Sequence, residues 1–310
     1  MFNMNITLAL SGGGVKGFAH IGVLRVLEWE GFHIRGVAGT SAGGLVAALY
    51  AAGYSPDKME QRLRDLDQGN LFSRMHGDGP SLLGLAGVNA ILYELLGERT
   101  FEDINLPLAL TATDLDSGLP VVIREGRLID AALATSAVPG VFPAKTINGH
   151  MLVDGGVLNP IPVAVARSLD PGSPVIAVLL SPPPGWQNEV DKGSYGNIPQ
   201  LFTNLPLVYR LAGRLRLAQA FNIFLRSVDT AGVMLTEMQL KLEQPEVIIR
   251  PRLDPIGIVD RVDIPELVKL GELATQAALP EIHRAVSWQS RLARRISDYS
   301  HRLRGTSYDA

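Results

Sequence analysis

The feature that most constrains the fold is a strand–glycine loop–helix unit that occurs twice in the first 53 residues. Ile6–Leu10 is a short apolar run that leads into three consecutive glycines, and the apolar residues of 18–27 then recur at helical spacing. Ile34–Ala38 is predicted to be a second short strand, and the helix of small residues that follows the next glycine-rich turn is predicted to end at Gly53. Strands that alternate with helices in this way favour an α/β fold built on a parallel sheet.

The rest of the chain adds strands and helices without dividing into separate folding units. Strands are predicted at 106–112, 120–123, 151–153, 175–180 and 247–249, and a long helical pattern covers about 200–244. Glycines interrupt residues 67–100, so no long element is expected there. Because the sequence has neither an internal repeat nor a linker, we predict one domain over residues 5–280, followed by a basic helical tail over 281–310.

Composition and charge exclude several classes of function. With 310 residues, 46% of them hydrophobic, the chain is long enough to bury a large core. The formal net charge of −3 provides no basic field for binding nucleic acid, and the lack of cysteine excludes a thiol nucleophile and Cys-ligated zinc. No signal-like segment and no run of about 18 uncharged apolar residues is present, so we expect a cytoplasmic protein without a transmembrane helix.

The first glycine loop, residues 12–17, lies between a predicted strand and a predicted helix. Its successive backbone N–H groups and the helix N-terminus favour binding of an anion. A dinucleotide-binding unit would need an acidic residue about twenty positions further on, where the chain has Thr40 and Ser41 instead. A P-loop would need Lys and then Ser or Thr after the last glycine, where Phe18 stands. A tight turn without chemistry is the remaining alternative.

Two further motifs carry candidate catalytic residues. Gly39–Gly43 reads GTSAG between a predicted strand and helix, a pattern that presents the Ser41 hydroxyl on a sharp turn. A structural serine is the alternative for this position. Asp154 follows a predicted strand and precedes Gly155 and Gly156, which taken alone indicates no more than a turn.

Together these motifs resemble the patatin-like phospholipase family. The resemblance rests on the SGGGVKG loop, the GTSAG turn, the DGG at 154–156 and the segment ATSAVPGVFP at 134–143, and it covers most of residues 5–181. It implies a three-layer α/β/α fold with a mainly parallel central sheet. It also implies hydrolysis of lipid acyl esters without a cofactor or a metal.

The resemblance also implies a role for each motif residue. Ser41 would attack the ester carbonyl and Asp154 would be the only side-chain base. Gly12, Gly13 and Gly14 would form the oxyanion hole, with Gly13 and Gly14 as the main donors. Lys16 would either attract a lipid phosphate or be a solvated lysine at a helix start. The remaining motif glycines are Gly17, Gly39, Gly43, Gly155 and Gly156.

Histidine is the obvious rival for the base. The chain has six, at positions 20, 33, 76, 150, 283 and 301. We predict that His20 is a hydrogen-bonded structural residue, and we rank His150 below Asp154 as a base although both lie on one strand. Asp114 and Asp116 resemble a carboxylate pair, but a polar turn after a strand is the preferred interpretation.

The C-terminal tail allows two interpretations, of which one is contact with a membrane surface. Six arginines between 284 and 304 alternate with apolar residues, which is typical either of a basic helix at a membrane surface or of a solvated helical face. The first interpretation would place the protein peripherally at the inner membrane surface. Two other functions stay open: a carboxylesterase of the α/β-hydrolase type, and a non-catalytic module that binds nucleotides or lipids.

Overall fold

A computed structural model of the chain describes residues 4–183, 212–253, 256–257, 259–287 and 289–290. The strands are β1 Asn5–Leu10, β2 His33–Thr40, β3 Leu108–Asp114, β4 Leu119–Ile123, β5 Lys145–Ile147, β6 His150–Asp154, β7 Val175–Val178 and β8 Val247–Ile249. The α-helices are α1 Ala19–Trp29, α2 Ala42–Ala51, α3 Pro56–Arg64, α4 Ala86–Leu96, α5 Leu128–Thr135, α6 Val163–Leu169, α7 Ala212–Glu243 and α8 Ile264–Ala285. Short 3-10 turns occupy Gly14–Phe18, Phe101–Asp103 and Gly155–Val157.

The eight strands form one sheet that is covered by helices on both faces. The strand order is β5-β6-β3-β2-β1-β7-β8, with β4 paired to β3 outside this path. Residues alternate between the faces, so Leu8 and Leu10 of β1 enter the larger core with α1, α2, α5 and α8, while Ala9 enters a smaller core with α6 and Leu240 of α7. This gives a three-layer α/β/α architecture.

The pairing around β3 places two chain ends beside each other. The pairs β1–β2, β1–β7, β2–β3 and β7–β8 are parallel, whereas β4 and β6 run antiparallel to β3. Strand β2 ends with Thr40 opposite Thr111, and β6 ends with Asp154 opposite Ala112, the next residue of β3. Strand β4 pairs with residues 110–114 of β3, a range that overlaps the β3 partners of both β2 and β6. Strands β2 and β6 therefore both lie on the opposite edge of β3, where they meet end to end.

Most predicted strands and helix starts are present, but the middle of the chain differs. The expectation of no long element at 67–100 was wrong, since α4 covers Ala86–Leu96 and buries Leu92, Leu95 and Leu96. Its glycine does not break it because Gly87 lies in the first turn, where the backbone of Asn70 and Leu71 leaves no space for a Cβ.

At the C-terminus, α8 continues across the predicted boundary at residue 280. Ile282, Ala285 and Val286 are buried in the larger core, so the first residues of the predicted tail pack on the domain. The tail beyond residue 290 lies outside the described residues. Among the residues that the structure describes, no helix has the length and apolar character needed to cross a membrane.

An ion cluster fastens α8 to the other helices of its layer. The guanidinium of Arg25 on α1 donates to Asp57 at 2.8 Å, to Glu60 at 2.5 Å and to Glu272 at 2.8 Å. Glu60 and Asp57 belong to α3 and Glu272 to α8. One nearly buried cation therefore joins three helices.

Candidate active site

Ser41 stands on a strained turn between β2 and α2. Its backbone has φ 53° and ψ −126°, a conformation that non-glycine residues rarely adopt, and the residue is 8% exposed. The turn requires its glycines, because a Cβ at Gly39 would lie 2.6 Å from Gly44 Cα and a Cβ at Gly43 would lie 2.6 Å from Ser11 O. The GTSAG sequence thus permits a tight packing of β1, β2 and α2 that holds the serine at the N-terminus of α2.

Asp154 lies at the end of β6, beside Ser41. It is 5% exposed, its Oδ1 accepts the N–H of Gly156 at 2.7 Å, and the side chain of Ser41 lies near enough to the carboxylate to lower its pKa. Burial raises the pKa of Asp154 to about 6, and the interactions with Ser41 and the N–H of Gly156 only partly oppose this rise. The carboxyl group is therefore ionised at neutral pH and is more basic than an exposed aspartate.

One segment at the C-terminal end of α5 holds the backbones of both residues. The N–H of Ser41 donates to Thr135 Oγ1 at 2.9 Å, and the N–H of Asp154 donates to the carbonyl of Ala137 at 2.9 Å. Thr135 is fully buried. Two residues that are 113 positions apart in the sequence are thus positioned by the same three-residue stretch.

The glycine loop packs directly against the serine. A Cβ at Gly12 would lie 3.1 Å from Ser41 Cβ and 3.9 Å from Ser41 Oγ. The N–H of Gly12 already donates to Pro160 O at 3.3 Å, whereas those of Gly13 and Gly14 have no acceptor among the described residues. Gly14 has a φ of 60°, which favours glycine. Two unused N–H donors therefore lie in the loop next to Ser41.

The remaining motif residues have clear surroundings. Lys16 is half-buried; burial lowers its pKa, while the charges of Asp229 and Asp260 raise it. A Cβ at Gly17 would lie 2.7 Å from Ala42 Cβ, so this glycine lets the loop pack on α2. At Gly155 a Cβ would collide with Thr111, which explains the small residue after Asp154.

A buried hydroxyl pair supports the junction where β2 and β6 meet. Thr40 Oγ1 donates to the carbonyl of Asn159 at 2.9 Å, so Thr111 Oγ1, 2.7 Å away, is the donor to Thr40. Ser11, Thr40, Thr111 and Thr135 were not identified from the sequence as site residues. Their common signal is a small hydroxyl side chain at or near the end of a buried, otherwise apolar segment.

The two histidines nearest to the motifs in sequence, His20 and His150, have hydrogen-bond partners other than Ser41 and Asp154. His20 is fully buried and its Nε2 donates to Ser11 O at 2.9 Å, which confirms a hydrogen-bonded structural histidine; burial lowers its pKa to about 4. His150 is at the other end of β6, with Nδ1 3.1 Å from Asp114 Oδ2. Among the described residues, no histidine hydrogen-bonds to Ser41 or Asp154, and no cluster of three or more acidic or histidine side chains is arranged to hold a metal.

Asp114 and Asp116 form a turn, as the sequence predicted. Asp114 accepts the N–H of Asp116 at 3.0 Å and the hydroxyl of Ser117 at 2.8 Å. The hydrogen bond from Ser117, followed by those from Asp116 and His150, holds the pKa of Asp114 below its ordinary value.

Comparison with known proteins identifies relatives that are named as NTE family or patatin-like phospholipase domain-containing proteins. An uncharacterized NTE family protein of Mycobacterium tuberculosis is 35% identical over 162 residues, which cover 51% of this chain and 44% of that protein. Patatin-like phospholipase domain-containing protein 6 of Homo sapiens is 32% identical over 200 residues, which cover 62% of this chain and 14% of that protein. The matched part of the chain thus corresponds to less than half the length of either relative.

The fold has a solved counterpart, and a family model covers the site. The crystal structure of VipD from Legionella pneumophila matches with a TM-score of 0.54 at 12% identity, over 90% of this chain and 67% of that chain. This likeness confirms the predicted three-layer fold. The model of the patatin-like phospholipase family matches residues 8–167, a region that includes the glycine loop, Ser41 and Asp154. Since this is just over half of the 310 residues, the chain belongs to the patatin-like phospholipase family.

Proposed function

We propose that this protein hydrolyses acyl esters of phospholipids or related lipids through Ser41 and Asp154. The observation that carries the proposal is the position of the buried Ser41 side chain beside a buried carboxylate, that of Asp154, whose pKa burial raises to about 6. A nucleophile and a base within hydrogen-bonding reach, with the base oriented by further contacts, are what acyl transfer to serine requires. Membership of a lipid hydrolase family supports a lipid ester as the substrate.

The proposed reaction proceeds in two halves. Asp154 accepts the Ser41 proton as Oγ attacks the ester carbonyl, and the protonated Asp154 then returns that proton to the leaving alcohol, which leaves an acyl-serine. In the second half Asp154 takes a proton from water, whose oxygen attacks the acyl-serine, and then returns it to Ser41. The raised pKa makes Asp154 a stronger base than an exposed aspartate, and the carboxylate is still ionised at neutral pH.

The oxyanion of both tetrahedral intermediates is assigned to the glycine loop. Gly13 and Gly14 carry the N–H groups without an acceptor, while the N–H of Gly12 is used by Pro160. We therefore assign the donor role to Gly13 and Gly14 and assign to Gly12 the close approach of the loop to Ser41. A well-placed donor of this kind contributes roughly a hundredfold to a thousandfold in rate.

Headgroup recognition by Lys16 stays a prediction. Lys16 is half-buried, and the charges of Asp229 and Asp260 oppose the lowering of its pKa by burial. Among the alternatives, a non-catalytic module is disfavoured by the strained turn at Ser41, since such strain persists where it serves a site. A triad carboxylesterase is disfavoured by the lack of a histidine hydrogen bond to Ser41 within the described residues.

A substrate panel on matched variants tests the proposal. The wild type, Ser41→Ala, Asp154→Asn, the Ser41→Ala/Asp154→Asn double variant and His150→Gln are assayed on phospholipids, lysophospholipids, monoacylglycerols and short nitrophenyl esters, and labelled with a fluorophosphonate. We expect His150→Gln to retain most activity and the two dyad variants each to lose about as much as the double variant, because they act as one unit. A histidine variant that loses three orders of magnitude in kcat while staying folded, or an active Asp154→Asn, would refute the dyad.

A further inference from the structure

We propose that Ser11 is a positioning residue of the oxyanion hole, which orients and polarises the N–H of Gly13. Ser11 directly follows β1 and is 4% exposed. The inference rests on the proposed function, because it assigns Ser11 a task only if the glycine loop binds an oxyanion.

The hydroxyl of Ser11 has two hydrogen bonds whose directions are fixed. The N–H of Leu180, just beyond β7, donates to Ser11 Oγ at 3.0 Å. Since an N–H cannot accept, the single hydroxyl proton is free to donate, and it is directed to the carbonyl of Gly12 at 3.1 Å. A chain of hydrogen bonds thus runs from β7 through Ser11 to the glycine loop.

The carbonyl of Gly12 and the N–H of Gly13 belong to the same peptide group. A peptide group is planar, so a hydrogen bond that fixes the carbonyl also fixes the direction of the N–H on its other side. A bond accepted by the carbonyl also polarises the amide and strengthens its N–H as a donor. The Ser11 hydroxyl therefore acts on the donor that we assign to the oxyanion, although it does not touch the substrate.

The peptide group between Ser11 and Gly12 is held as well, so Ser11 acts on a loop that is otherwise anchored. The carbonyl of Ser11 accepts from His20 Nε2 at 2.9 Å, and the N–H of Gly12 donates to Pro160 O at 3.3 Å. The side chain of Leu180 packs against Gly13, where a Cβ would lie 2.8 Å from Leu180 Cδ1. In the peptide between Gly12 and Gly13, the described residues supply the hydrogen bond from Ser11 and no acceptor for the N–H.

Removal of the hydroxyl separates this role from a purely structural one. Ser11→Ala leaves the Gly12 carbonyl without its donor and the buried N–H of Leu180 without its acceptor, which lowers stability. Thr7→Val is the matched control, because Thr7 is a buried hydroxyl residue of β1, the strand that precedes Ser11, and donates to Pro174 O at 3.4 Å, away from the glycine loop. Both changes remove one buried hydroxyl.

The experiment compares kcat and KM of the wild type, Ser11→Ala, Ser11→Cys and Thr7→Val on a soluble nitrophenyl ester, corrected for the folded fraction from circular dichroism. Affinity for an alkyl trifluoromethyl ketone, which forms a tetrahedral adduct with serine, is measured in parallel. We expect Ser11→Ala to lose roughly ten- to a hundredfold in kcat and in ketone affinity with little change in KM, since a misaligned donor affects mainly the tetrahedral species.

Ser11→Cys is expected to fall between wild type and alanine, because a thiol is a weak donor and acceptor, and it decides the outcome if the alanine variant does not fold. Thr7→Val should stay within about twofold of the wild type. A kcat per folded enzyme that is equal in Ser11 and Thr7 variants, or a loss confined to KM, would overturn the role of Ser11. If the wild type hydrolyses no ester and takes up no ketone, the proposed function fails first.

Discussion

Asp154→Asn should stabilise the fold at neutral pH while it abolishes hydrolysis. Burial raises the pKa of Asp154 from 3.8 to about 6, so the folded state favours the protonated form and bears a cost when the carboxylate is ionised. At about 1.4 kcal/mol for each pKa unit, this rise corresponds to about 3 kcal/mol of lost stability well above pH 6. Asparagine has nearly the same shape, has no charge and can still accept the N–H of Gly156.

The pH dependence of this gain in stability tests whether the charge of Asp154 is its cause. Between pH 4 and 6 the folded state retains a proton that the unfolded state has released, so the stability of the wild type falls as pH rises through this window. We therefore expect Asp154→Asn to exceed the wild type by about 3 kcal/mol at pH 7.5 in urea denaturation, and the difference to disappear below pH 4. A variant that is less stable than the wild type at pH 7.5, or a gain that is independent of pH, would refute the reasoning.

Asp114→Asn is the control of opposite sign. Hydrogen bonds from Ser117, Asp116 and His150 lower the pKa of Asp114, so its ionised form stabilises the folded state. Its stabilising contribution is present above the ordinary aspartate pKa and is lost as pH falls through the lowered value. We expect this variant to be less stable than the wild type at pH 7.5, in the same titration.

Three further predictions concern the base, the positioning segment and the helix layer. With a soluble ester, kcat should fall as pH drops through about 6, since Asp154 must be ionised, and a limb near pH 4 would contradict the buried base. Thr135→Val should cost about 1–3 kcal/mol in urea denaturation and lower kcat, because the N–H of Ser41 loses its acceptor, whereas Thr275→Val, another buried threonine, should retain kcat. Arg25→Met should cost about 1–3 kcal/mol because Asp57, Glu60 and Glu272 each lose a hydrogen bond from the guanidinium, while Glu60 keeps Arg64 and Glu272 keeps Lys269, and unchanged thermal unfolding would show that the Arg25 bonds are dispensable.

Local patterns in the sequence were sufficient for the strands and the helix starts. Short strand patterns that end in glycines predicted β1 and β2. The start of α3 has an equally local signal, since Ser55 precedes Pro56 and accepts the N–H of Lys58 at 3.3 Å. The Asn148–Gly149 pair is likewise typical of the turn before β6, and both residues have positive φ, at 52° and 83°. In each case the residue has a conformational preference that does not depend on distant contacts.

The parts that escaped prediction depend on contacts between distant segments. Gly87 was interpreted as a helix breaker, although it marks the place where α4 packs on the backbone near Asn70. Ser11 and Thr135 are single hydroxyl residues whose partners lie 169 and 94 positions away, and no local pattern distinguishes them from other small polar residues. Their importance becomes visible only when the partner segments are known.

The mixed direction of the sheet explains how Asp154 comes to lie beside Ser41, as the proposed two-residue mechanism requires. In an all-parallel sheet, strand ends at the same edge lie side by side, separated by the distance between strands. Here β6 runs against β2 along one edge of β3, so the C-terminal ends of the two strands face each other at neighbouring residues of β3. An aspartate side chain is short, and this register brings its backbone close enough for the carboxylate to reach Ser41 without an intervening imidazole. The antiparallel direction of β6 therefore brings the proposed base next to the proposed nucleophile in this fold.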